Sequence, residues 1–422
     1  MKYIKGTNRN QLAIFPDLID SRIDEDNPVR VIDVFVTGLN MNDLGFERAV
    51  PAVMGRPGYD PRDLLKLYLY GYMNGIRSSR KLEKETNRNI ELMWLLKGLT
   101  PDFKTIADFR KDNKKAIKNV FKEFTLLCKS WDLLSNELVA IDGSKFKAWN
   151  GKKKNFNNRK LKRKLKDINE KIDKYLKLLD DFDDDDDDNT NGKNINANEI
   201  KKKIKKLNKK KEQYKEYQKI IKENDTTQVS LTDPQARSMV NNQKVEVCYN
   251  VQSVVEEKNK LIVDYKATNK TKDYDLLSVM AKSAKNILNV ESLEVLADKG
   301  YHKALEIKEC IDNNINPYIP KPERKSKYYS VEDFKYNSDN DCFICPNGET
   351  LELSNHYKRN NKSYKRYNNK EACQNCDLKS KCTRAKSRYV NRWEHQDIID
   401  KVEEQTKQNW DKYKKRLWLV EH

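Results

Sequence analysis

Between residues 161 and 221 the apolar side chains keep a heptad register that an aspartate run interrupts. Leu161, Leu165, Ile168, Ile172, Tyr175 and Leu179 are spaced alternately four and three residues apart, which sets them along one seam of a coiled-coil helix. Ile200, Ile204, Leu207, Tyr214 and Ile221 repeat the register, with Lys211 and Gln218 in two seam positions. Between the two runs stand six consecutive aspartates at 183–188, a block that repels itself and stays solvated. The segment 152–224 therefore reads as an antiparallel coiled-coil helical hairpin with a flexible acidic loop. Such a loop offers no fixed geometry for a metal.

The flanks have different periodicities. Residues 1–130 predict an all-α domain. Leu64, Leu65, Tyr68, Leu69 and Tyr72 mark one buried helical face, and Asp60-Pro61 suits its N-cap and first turn. Further helices are predicted over 79–96 and 105–129, with breaker residues at 98–102 between them. Arg77, Arg80, Lys81, Lys84 and Arg88, then Arg110, Lys111, Lys114 and Lys115, stand among aromatics. Helix-turn-helix modules present basic helices to DNA in this way, and a solvated helix face has the same composition.

An α/β pattern follows. Leu138–Ile141 form an apolar strand that ends in an Asp142-Gly143 turn. Strands are predicted over 245–255 and 261–267 as a hairpin, then a helix over 274–288 and a strand over 293–297. A helix over 302–313, a strand over 316–320 and a final helical segment over 393–420 complete the pattern.

The 422 residues carry 84 Lys+Arg against 65 Asp+Glu, a net +19, which points to a polyanion such as nucleic acid. No apolar run approaches the ~20 residues that span a bilayer. The first residues lack the apolar region of a secretory signal. A cytoplasmic protein with reduced cysteines is the expectation.

Asp142 and Asp298 share one context: each ends an apolar strand, with glycine within two residues. Functional groups of α/β sheets collect at strand carboxyl ends. Two acids there suggest a shared Mg²⁺ or Mn²⁺, while an aspartate ending a strand is also a common turn former. Cys342, Cys345, Cys373 and Cys376 form two C-x2-C knuckles, the ligand set of a structural Zn²⁺, and Gly348 suits the tight turn of a zinc ribbon. Cys382 follows closely and leaves the fourth ligand open. Cys128, Cys248 and Cys310 lie in apolar patterns and read as core.

The chain resembles the DDE transposases of bacterial insertion sequences, in the branch numbered eleven-eighty-two. The resemblance is carried by the block from GRPGYDPRDLLKLYLYGYMNG to FKTIADFRKDN. It continues in VAIDGSKFKAWN, LTDPQARSM, VCYNVQSVV, EVLADKGYH and YKKRLWLVEH. It implies a catalytic core of RNase H-like mixed sheet flanked by helices. It also implies catalytic, metal-binding residues Asp142, Asp298 and Glu421, with Tyr413 and Arg416 on the last helix toward DNA. The implied function is cleavage of DNA at the element's ends and strand transfer into target DNA by a two-metal mechanism. Double-stranded DNA is the implied partner and a homodimer on paired ends the implied assembly.

The corresponding division is 1–130 helical and DNA-binding, 131–151 with 225–325 the core, and 152–224 the hairpin. A Cys-rich insertion at 326–392 and a C-terminal helix at 393–422 complete it. Relatives continue past the glutamate, so a C-terminal truncation is expected here. A remnant that only binds DNA, or an RNase H-like nuclease, is the alternative reading.

Overall fold

The computed structural model describes residues 18–50, 57–184, 197–224, 226–323, 326–359 and 362–420. The chain divides into two compact units, Met1–Leu127 and Cys128–His422.

The described part of the first unit is helical: α1 (Pro28–Thr37), α2 (Pro61–Met73), α3 (Ser79–Thr86), α4 (Ile90–Leu95), α5 (Phe103–Asp112) and most of α6 (Lys114–Ser130). Leu64, Leu65 and Tyr68 of α2 pack with Leu92, Leu95, Ile106 and Phe109. Asp60 caps α2 by accepting from the Arg62 amide. Two helices predicted as continuous are each broken, and asparagines break them. Asn89 caps α4 by accepting from the amides of Glu91 and Leu92, which ends any continuation from α3. Buried Asn113 sits between α5 and α6, donates to the Phe109 carbonyl and accepts from the Glu47 amide.

The second unit is built on a six-stranded sheet. Its strands are β1 (Leu138–Lys147), β4 (Arg237–Asn241), β5 (Lys244–Glu256), β6 (Ile262–Thr268), β7 (Leu293–Ala297) and β8 (Ile315–Tyr318). Two short strands, β2 (Asn155–Asn157) and β3 (Gln228–Ser230), pair with each other at the base of the hairpin. The order across the sheet is β4-β5-β1-β7-β8, with β6 also on β5. β1 runs antiparallel to β5 and parallel to β7, and β7 runs parallel to β8.

Both faces of this sheet are covered, which is why β7 and the first half of β1 are apolar runs. Val139, Ile141, Val295 and Ala297 face helices α9 (Leu277–Leu288), α10 (Ala304–Asp312) and α13 (Gln396–Gln408). Leu138, Ala140 and Leu296 face α14 (Trp410–Val420) through Leu419. The segment predicted as one final helix is thus two, divided at Asn409, and Trp393 ends a strand.

The hairpin arms are α7 (Asn158–Asp184) and α8 (Ala197–Glu223), which pack side by side. Leu161, Ile168, Ile200 and Ile221 of the heptad seams are buried. Asp183 and Asp184 belong to α7, and the remaining aspartates of the run lie outside the described residues. The cysteine-bearing segment is an antiparallel sheet in the order β13-β12-β11-β10-β9. Its strands are β9 (Lys335–Asn337), β10 (Cys342–Ile344), β11 (Thr350–Arg359), β12 (Lys362–Asn368) and β13 (Val390–Trp393). Short helices α11 (Lys370–Gln374) and α12 (Lys379–Cys382) lie between β12 and β13.

Candidate active site

Parallel pairing of β1 with β7 puts the two aspartates side by side. Ile141 lies opposite Ala297, so the next residue on each strand is an aspartate, Asp142 on β1 and Asp298 after β7. Asp298 ends its strand and caps a 3-10 turn over Lys299–Tyr301, accepting from the Gly300 amide at 2.8 Å.

Asp142 differs from its sequence expectation. The predicted turn at Asp142-Gly143 is absent, and β1 continues to Lys147 along β5. Asp142 marks instead the point where β1 stops pairing with β7. Gly143 is required for close approach. A Cβ there would lie 2.3 Å from Gln252 Nε2 and 2.8 Å from Asp273 Oδ1.

A polar cluster fills that approach, and the sequence reading did not single out its members. Asn250 and Gln252 of β5 are fully buried. Asp273 Oδ1 accepts from Asn250 Nδ2 at 2.7 Å, Gln252 Nε2 at 2.9 Å and Lys145 Nζ at 3.1 Å. The Tyr301 hydroxyl donates to Gln252 Oε1. Burial pushes the Tyr301 hydroxyl far above its ordinary pKa, and the charges of Asp273, Asp142 and Asp298 add to the shift. One signal was present in the sequence. Cys248, Asn250, Gln252, Val254 and Glu256 alternate along one face of β5, so Asn250 and Gln252 fall on the same phase as the buried Cys248 and Val254.

On the other face of the sheet, α14 brings Arg416 to Asp142, Nη1 to Oδ1 at 3.8 Å. Lys412 anchors the helix to Glu294 of β7 at 2.9 Å. Arg416 is buried and Tyr413 packs beside Trp410 against the core, so both face the protein. Glu421 lies outside the described residues. Among the described residues, no group of three or more His, Cys, Asp or Glu side chains stands close enough together to hold a metal ion.

In the first unit Arg77, Arg80, Lys81, Lys84 and Arg88 are all exposed on or beside α3. Arg80 stacks over Phe103 at 4.9 Å and Arg88 pairs with Glu85.

The cysteines separate into two groups. Cys345, Cys373, Cys376 and Cys382 line one small cavity of about 30 Å³. Burial raises the Cys382 thiol above its ordinary pKa, Arg388 opposes the shift, and Cys373, Cys345 and Cys376 add to it. Cys342 is buried within β10 and does not line that cavity. Gly348, at φ +83°, closes the turn in which its amide donates to the Cys345 carbonyl. Cys128, Cys248 and Cys310 are buried in the core.

Two family models match the chain. One, described as "Transposase domain (DUF772)", matches residues 17–112, and one described as "Transposase DDE domain" matches residues 344–422. Asp142 and Asp298 lie between the matched segments. No curated protein and no solved structure matches the chain. Among the described residues no helix is long and apolar enough to cross a membrane.

Proposed function

We propose that this chain, which belongs to the DDE-type insertion-sequence transposases and is thus a nucleic-acid-processing enzyme, cuts DNA at the ends of its element and joins the freed 3′-hydroxyl to target DNA. The observation that carries the reading is the register of β1 with β7, in which Asp142 and Asp298 each follow the last paired residues, Ile141 and Ala297. Counted over its five longer-range strands, the sheet order β6-β5-β1-β7-β8, with only β5 antiparallel to β1 and β6 returning on β5, supports an RNase H-like core. Membership of branch eleven-eighty-two rests on the sequence blocks alone.

The donor set suits a hard cation, since carboxylate oxygens are what Mg²⁺ and Mn²⁺ select. Asp142 and Asp298 would hold it, with Glu421 as third ligand. Two such ions, when bound, supply charge neutralisation at the attacking and leaving oxygens of an in-line displacement. The protein's own part is positioning. Asp142 is held from the α14 side by the Arg416 guanidinium, and Asp298 is fixed by the Gly300 amide. The displacement needs no covalent enzyme intermediate.

The exposed cations of α3 would grip duplex DNA through phosphates, and pairing two ends favours a homodimer. Action on bacterial DNA places the protein in the cytoplasm. A structural Zn²⁺ in the Cys-rich sheet would take Cys345, Cys373, Cys376 and Cys382, whose shared cavity has the volume of a single water or ion. Cys342 would then be a core residue of β10.

Asp142→Asn and Asp298→Asn should each abolish Mg²⁺-dependent cleavage of end DNA while leaving end binding within about twofold. Cleavage at the wild-type rate in either variant would sink the assignment. A wild-type chain that binds ends but never cuts them supports the remnant reading, and one that cuts only RNA supports the nuclease reading.

A further inference from the structure

Asn250 and Gln252 lie in VCYNVQSVV, a block that the two-aspartate reading leaves without a role. Both are fully buried in β5, between the strand that carries Asp142 and β6. Fully buried amides are costly unless every polar atom finds a partner, and an apolar residue would pack there at no such cost.

The hydrogen bonds leave Gln252 one orientation. Its Nε2 must donate, and it faces two acceptors, Asp273 Oδ1 at 2.9 Å and Asn250 Oδ1 at 2.9 Å. Its Oε1 is therefore turned to accept from the Tyr301 hydroxyl. Asn250 is held in turn, donating to Asp273 and to the Lys270 carbonyl at 3.2 Å. Lys145 balances the charge of Asp273 at 3.1 Å.

Gln252 thereby touches both halves of the site. On β5 it stands directly opposite Gly143, the residue after Asp142, and only the missing Cβ lets it approach. Through Tyr301, which closes the 3-10 turn that Asp298 caps, it reaches the second strand end. Its three neighbours are thus tied to three separate chain segments.

We propose that Gln252 and Tyr301, held by Asp273 and Asn250, are positioning residues that lock the Asp142 and Asp298 strand ends in register for a divalent cation. The proposal rests on the reading of Asp142 and Asp298 as cation ligands. Networks that orient metal ligands in this way typically cost tenfold or more in metal affinity when cut.

The test is a Mn²⁺ titration of the purified full-length chain, with free Mn²⁺ followed by electron paramagnetic resonance. Tyr301→Phe deletes one hydroxyl and keeps the ring, and Gln252→Met keeps the side-chain length without its amide. Each should weaken Mn²⁺ binding about tenfold. The double variant should be little worse than either single, because both cut one chain of contacts. Ser283→Ala, which removes a hydrogen bond to Asp264 elsewhere in the same unit, should leave Mn²⁺ binding unchanged. Melting temperature is measured on every variant.

Mn²⁺ affinity within twofold of wild type in both variants overturns the proposal. A loss of affinity seen only together with a large fall in melting temperature also overturns it, because the network then serves folding alone. Asp142→Asn separates the two layers of the argument. Unchanged Mn²⁺ binding in that variant, or no Mn²⁺ binding by the wild type, refutes the ligand reading itself.

Discussion

Asp341 shows how much one carboxylate can organise. It accepts from the hydroxyls of Tyr336 at 2.8 Å and Tyr367 at 2.6 Å, and from Lys365 Nζ at 2.8 Å, joining β9 and β12 at the start of β10. Lys365, then Tyr367 and Tyr336, hold its carboxyl well down, at about 2 against an ordinary 3.8. A depressed carboxyl contributes stability that is full above the unfolded value and lost as pH falls through the folded one. The Cys-bearing sheet should therefore lose stability as pH drops from 3.8 toward 2. Because the side chain is 36% exposed, solvent screening brings the contribution to about 1 kcal/mol. Asp341→Asn should lose that amount at neutral pH and show a flatter acid limb in denaturant melts. An acid limb as steep as wild type would contradict it. The role of Asp341 was illegible in the sequence, because its partners stand 5 to 26 positions away. Asn250 and Gln252 were partly legible, since their phase on β5 marks them as buried, but Asp273 and Tyr301 become their partners only through sheet topology.

At the scale of elements, apolar periodicity found the strands of Asp142 and Asp298 because both are buried on two faces. The errors have physical causes too. Helix breaks at Asn89 and Asn113 were missed because asparagine, unlike proline, breaks a helix only when its side chain captures backbone groups. The Asp142-Gly143 pair looked like a turn, whereas the glycine serves close packing. Spacing leaves open which four of Cys342, Cys345, Cys373, Cys376 and Cys382 share a site, and the cavity that Cys345, Cys373, Cys376 and Cys382 line, away from buried Cys342, favours those four. The structural zinc proposed above should therefore appear at about one ion per chain, survive Cys342→Ser and be lost in Cys382→Ser. A freshly folded, unchelated sample without zinc, or loss of zinc in Cys342→Ser, would refute that ligand set. Helix α3 carries the other test. Replacing Arg80, Lys81 and Lys84 together should reduce the slope of log K against log[salt] on any duplex by roughly 2–3, at about 0.9 per phosphate contact. An unchanged slope would move the DNA-binding surface to the lysine-rich arms α7 and α8.

The whole molecule spaces its functional parts along the chain. The first unit is basic, its described part is helical, and it coincides largely with one matched segment. The second matched segment takes in most of the Cys-bearing sheet and the two last helices, α14 lying on the strands of the aspartates. The sheet between them supplies Asp142 and Asp298, and everything proposed for catalysis depends on those carboxylates being cation ligands. Ligand substitution tests that dependence most directly. Asp298→Cys exchanges a hard oxygen donor for a thiolate, which Mn²⁺ tolerates better than Mg²⁺. Cleavage of end DNA should disappear in Mg²⁺ and return, at least in part, in Mn²⁺, while Asp298→Ala stays inactive in both. Wild-type cleavage by Asp298→Cys in Mg²⁺, or full activity of Asp298→Ala in either metal, would contradict the account.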